Sequence, residues 1–108
     1  MRLLVSLVTV FALQGHAQSA PMSRVEIKTF QFAPDTLRVS VGTKVLWTNQ
    51  DEIEHTVSAG TPTERDAAFS VVLKTRGAAT ERTFDRAGTF AYFCERHQFM
   101  RATITVTR

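Results

Sequence analysis

One heptapeptide of the 108-residue chain, Cys94-Glu95-Arg96-His97-Gln98-Phe99-Met100, sets a thiol, an imidazole and a thioether three residues apart. That spacing lets a single tight loop gather soft and borderline donors around one point, and His55, 39 residues upstream, supplies a fourth. Two His and one Cys in a trigonal arrangement, with a weak axial Met, make the donor set of a blue-copper centre. Thiolate and thioether favour Cu(I) while imidazoles accept Cu(II), so a rigid frame around all four would limit rearrangement between oxidation states. Structural zinc sites draw on four Cys and His ligands and do not ordinarily use Met. Attachment of a c-type haem needs two Cys ahead of a His, and a binuclear copper centre needs a second Cys, whereas Cys94 is the only one here.

The elements that must position these donors read as strands. Val25 and Ile27 alternate with Glu26 and Lys28, and Leu37, Val39 and Val41 alternate with Arg38 and Ser40. Val45 and Trp47 follow a turn at Gly42-Thr43, and a parity break at Phe30 and Phe32 predicts a bulge or bend before Pro34. Further short strands are expected around Val57, over Phe69 to Leu73, over Thr80 to Phe84, and over Thr89 to Cys94, where Phe90, Tyr92 and Cys94 share a face. Ala102, Ile104 and Val106 alternate with Thr103, Thr105 and Thr107 in the last one. Ala59 to Ala68 reads as the longest loop, and no stretch has the periodicity of an amphipathic helix. Seven to eight strands with frequent turns predict an all-β, Greek-key β-sandwich, with Trp47, Phe90, Tyr92 and Phe93 in its core.

The first twenty residues differ in kind. Met1-Arg2 is followed by an apolar run from Leu3 to Leu13 and by small residues around Ala17 to Ala20, the pattern of a secretory signal cleaved near 17–20. The run is shorter than the roughly 18 residues needed to span a bilayer, so 1–20 is expected to leave a soluble, exported domain over 21–108. Export sharpens the reading of Cys94, because an unpaired cysteine in an oxidising compartment calls for a metal, a partner or an inert burial. Removing the signal also removes His16, leaving His55 and His97 as the only histidines. The formal charge of +3 is spread among interspersed acids and bases, without the basic run or aromatic ladder of a nucleic-acid binder.

The fragments Phe32-Ala33-Pro34, Val39-Ser40-Val41-Gly42, Val45-Leu46-Trp47-Thr48-Asn49, His55-Thr56-Val57 and Ala87-Gly88-Thr89-Phe90-Ala91-Tyr92-Phe93-Cys94 appear in an order that resembles the plastocyanin-like cupredoxins. The C-x-x-H-x-x-M loop, with Phe99-Met100-Arg101 at its end, is similar to the short loop of amicyanins. The resemblance, which runs from about Val25 to Thr107, implies a cupredoxin fold. It implies one type 1 copper with His55, Cys94 and His97 as equatorial ligands and Met100 as the axial one. It further implies that His97 and Phe99 face transiently docking redox partners, a donor and an acceptor, and that groups near the Cys tune the site, for which Asn49 and Thr56 are the candidates. Thr56 replaces an Asn common after the first His, and Arg96 replaces the Pro of amicyanins. A monomeric, periplasmic electron carrier that is not an enzyme is the expected function. A copper chaperone or buffer using the same donors is the alternative.

Overall fold

Alternating apolar and polar residues build the strands that face the core on one side only. The structure, a computed structural model, describes residues 4–6 and 21–108. The predicted export signal, 1–20, lies outside the described residues except for 4–6. The strands are β1 (Met22–Lys28), β2 (Gln31–Ala33), β3 (Thr36–Ser40), β4 (Thr43–Asn49), β5 (His55–Gly60), β6 (Arg65–Leu73), β7 (Ala79–Phe84), β8 (Gly88–Phe93) and β9 (Arg101–Thr107), and the described residues contain no helix. One sheet has the order β2-β1-β4-β7 and the other β3-β9-β8-β5-β6. β1 lies parallel to β4 and β3 parallel to β9, so the chain must cross repeatedly between the layers. Val25, Ile27, Val45 and Ile104 are fully buried between them and Trp47 and Tyr92 nearly so, and each such aliphatic side chain contributes roughly 1.5–3 kcal/mol by leaving water. Phe93 is buried as well, and Phe90 is partly buried against the core.

The described residues form nine strands rather than seven or eight. The extra one, β2, arises where a bulge was expected: Thr29 and Phe30 both take left-handed conformations, with φ of 55° and 57°. Lys28 pairs with Gln31 across them, so the chain reverses completely in a two-residue hairpin. Positive φ at both central positions is the type I′ requirement, ordinarily met by Asn-Gly, and Thr-Phe carries none of that signal. The expected loop Ala59 to Ala68 is corrected too. β5 runs on to Gly60, a turn joins Thr61 to Glu64 by reciprocal backbone hydrogen bonds of 3.0 and 3.1 Å, and β6 begins at Arg65. β6 is an outer strand with both faces largely exposed over its first half, and such a strand shows no alternation. Gly60 has φ +94°, and a Cβ there would stand 2.3 Å from the Glu64 carbonyl oxygen, so no other residue fits this reversal.

Candidate metal centre

The site forms where two adjacent strands part. β5 and β8 pair through Ser58↔Phe93 and Ala59↔Tyr92. Beyond that point β5 continues back to His55, while the chain after β8 turns through Cys94 to Met100. The Cys94 N–H donates to the Met100 carbonyl (3.1 Å) and the Met100 N–H to the His97 carbonyl (2.9 Å), closing a compact loop that buries Met100. Cys94 Sγ lies 3.8 Å from His55 Nδ1 and 3.8 Å from His97 Nδ1, and the three donor atoms lie within 4.8 Å of one another. A metal about 2.0–2.1 Å from nitrogen and about 2.3 Å from sulfur, with an angle near 120°, requires S···N separations of about 3.8 Å. The donor spacing therefore fits a trigonal ion. The set of one thiolate, two imidazoles and a neighbouring thioether fits copper.

His55 and Cys94 are fully buried, whereas His97 is partly exposed. His55 Nε2 lies 2.8 Å from the Asp51 carboxylate, which leaves Nδ1 facing the thiol. The same carboxylate accepts from the N–H groups of Thr29 (2.7 Å) and Phe30 (3.0 Å). Burial pushes the Asp51 carboxyl up, but the hydrogen bonds from Phe30, His55 and Thr29 prevail and hold it below its ordinary value. Asp51 thus joins His55 to the left-handed hairpin. That hairpin carries Phe30, whose ring stands edge-on to both imidazoles, with centroid distances of 5.4 Å to His55 and 4.9 Å to His97. Partial burial, then the neighbouring His55 ring and the Arg96 charge, hold the His97 imidazole below its ordinary value.

The Thr56 N–H donates to Cys94 Sγ at 3.4 Å, and its hydroxyl accepts from the Glu95 N–H at 2.8 Å. The Thr hydroxyl thereby ties the ligand loop to β5. Asn49, the other residue expected near the sulfur, is bonded elsewhere. Its amide donates to the carbonyls of Ile53 (2.9 Å) and Leu73 (3.1 Å), and its oxygen accepts from the Asp51 N–H (2.9 Å), so it shapes the loop that carries Asp51 and His55. Phe99 is 71% exposed with its ring 6.3 Å from that of His97; Phe30 and Ile53 are also partly open to solvent. Two ion pairs flank the loop, Glu95 with Arg65 at 2.6 Å and Arg96 with Glu54. Sequence reasoning did not single out Asp51, Phe30 or Glu54. The parity break marked the neighbourhood of Phe30, and the i, i+4 spacing of Asp51 to His55 is visible only in hindsight, beside equally acidic Glu52 and Glu54.

Residues 20–107 match the family described as copper binding proteins, plastocyanin/azurin family. An amicyanin of Paracoccus denitrificans is 32% identical over 82 residues, which is 76% of this chain and 63% of that protein, so the chain spans a little under two thirds of that relative. Among solved structures, a purple cupredoxin from Nitrosopumilus maritimus superposes with a TM-score of 0.71 at 25% identity, covering 79% of this chain and 99% of the other. A reduced amicyanin variant superposes with a TM-score of 0.70 at 29% identity, covering 82% and 84%. No helix among the described residues is long and apolar enough to cross a membrane.

Proposed function

Because the chain belongs to the plastocyanin/azurin family of copper-binding proteins, we propose that it is a blue-copper electron carrier that shuttles single electrons between a donor and an acceptor protein. The observation that carries this reading is the convergence of His55, Cys94 and His97 within 4.8 Å at one end of a rigid sandwich. In this reading His55 Nδ1, Cys94 Sγ and His97 Nδ1 would hold one copper, with the buried Met100 as a weaker fourth ligand. Copper bound there supplies one-electron Cu(I)/Cu(II) chemistry. The protein's part is to keep those donors in place. Asp51 fixes the His55 ring, the Thr56 N–H draws charge from the sulfur, and Phe30 keeps water from the imidazoles. The partly exposed His97 ring, with Phe99 beside it, is the electron port and the centre of an apolar docking face.

Four protein ligands leave no open position for a substrate, and catalytic metal sites keep one, so the protein is a carrier and not an enzyme. Residues 1–20 are an export signal removed near 17–20, and 21–108 act as a monomeric periplasmic domain without nucleic-acid partners. The test is one equivalent of Cu(II) added to the mature domain, followed by ascorbate. An intense blue band with narrow copper hyperfine splitting, bleached by the reductant and restored on oxidation, is expected. A pale product, or a copper that passes readily to a chelator with slow electron self-exchange, would replace the carrier by a copper chaperone or buffer.

Met100→Leu checks the axial position. Removing a weak donor disfavours Cu(II), so the variant should keep its copper and its colour while its potential rises by at least about 59 mV, the equivalent of a tenfold change in relative affinity for the two states. Protein-film voltammetry reads the shift, and an unchanged potential would exclude Met100 as a ligand.

A further inference from the structure

The segments carrying His55 and Cys94–His97 meet along a seam that can be followed rung by rung. Innermost, Ser58 pairs with Phe93 in the β5–β8 ladder. One step outward, Thr56 bonds to both Cys94 Sγ and the Glu95 N–H. Outermost, the Arg96 guanidinium meets the Glu54 carboxylate. Residues 58, 56 and 54 thus face 93, 94–95 and 96 in turn. The last rung joins the residue before one histidine to the residue before the other.

The three donors are not equally restrained. His55 is buried and held by Asp51, and Cys94 is buried in the core and bonded by Thr56. The His97 ring lies beside the rings of Phe30, His55 and Phe99, its Nδ1 faces Cys94 Sγ, and among the described residues its Nε2 has no hydrogen-bond partner. Apart from the thiol no polar side chain orients that ring, so its direction follows the backbone of 96–98, which Met100 and Arg101 tie within its own segment and Arg96 ties across to the segment of His55. We infer that the Glu54–Arg96 pair is a positioning latch that holds His97 toward the thiol and sets how fast copper leaves. The inference rests on the copper reading above. With side chains 24% and 57% exposed, the pair is open to salt, which limits its effect to about a two- to fivefold change in rate.

The test uses the copper-loaded protein and an excess of chelator, following loss of the visible band at low ionic strength. Glu54→Gln and Arg96→Gln should each release copper about two to five times faster than wild type. The exchanged pair Glu54→Arg with Arg96→Glu should restore the slow rate. Glu52, in the same β4–β5 connection as Glu54, pairs with Arg76 between β6 and β7 and so does not join the ligand segments; Glu52→Gln should release copper as wild type does. In about 1 M salt, where the screening length falls to about 3 Å, the difference between wild type and the two single variants should vanish. In the metal-free chain, nitrogen-15 relaxation should show greater motion of 96–98 in both single variants. Wild-type release rates in Glu54→Gln and Arg96→Gln, or an exchanged pair as fast as either, would overturn the latch while leaving the copper reading intact. A wild type that never turns blue would overturn both.

Discussion

Cys94→Ser should abolish the intense blue absorption altogether while leaving the sandwich folded. The thiol sulfur sits 3.8 Å from both Nδ1 atoms and accepts the Thr56 N–H at 3.4 Å, so every other group of the site is arranged around it. A serine hydroxyl occupies nearly the same space, but it is a hard donor that does not ionise readily and gives no sulfur-to-copper charge transfer. Copper that still binds should show the wide hyperfine splitting of an ordinary nitrogen and oxygen site. Cys94 also belongs to the buried core, and the exchange of sulfur for oxygen should lower the unfolding free energy of the metal-free protein by about 1 kcal/mol. Loss of colour with an intact cooperative unfolding transition separates the ligand role from a packing role. A blue band in the serine variant would remove Cys94 from the site.

What the sequence made legible, and what it hid, divides along a physical line. Strands with one face in the core carry their pattern openly, and Val25, Ile27, Val45, Trp47, Ile104 and Val106 all lie inside as their alternation predicts. The loop spacing brought Cys94 and His97 together on paper, and the resemblance to the cupredoxins placed His55 with them; the three do converge. Hidden were the features that depend on partners distant in sequence. β6 is an exposed edge, so its first residues had no buried face to betray them. The Thr29-Phe30 turn lacks Gly and Asn, and its left-handed backbone is held instead by Asp51, 21 and 22 residues away. Glu54 and Arg96 look like solvated charges until the fold sets them face to face. Asn49, expected beside the sulfur, bonds instead to Ile53, Leu73 and Asp51.

Asp51→Leu should weaken copper binding about 10- to 100-fold, the usual consequence of removing the partner that orients a metal-bound imidazole. The carboxylate accepts three hydrogen bonds, from the N–H groups of Thr29 and Phe30 and from His55. Its removal strands the buried Nε2 of His55 and frees two left-handed residues that a β-branched and an aromatic side chain would otherwise leave. The metal-free protein should accordingly lose about 2–3 kcal/mol of stability, since hydrogen bonds to a charged, largely buried group are the stronger kind. Because the folded protein holds this carboxyl below its ordinary value of 3.8, its contribution is fully present above that value. It is lost as the pH falls through the folded-state value. Wild type and Asp51→Leu should therefore differ most in urea unfolding near neutral pH and converge in acid. Asp51→Asn, which retains an acceptor for the hairpin but no charge, should fall between them. Equal copper affinity in all three proteins would mean that the His55 ring is held by its packing alone, and that the bond to Asp51 follows the fold without directing the metal site.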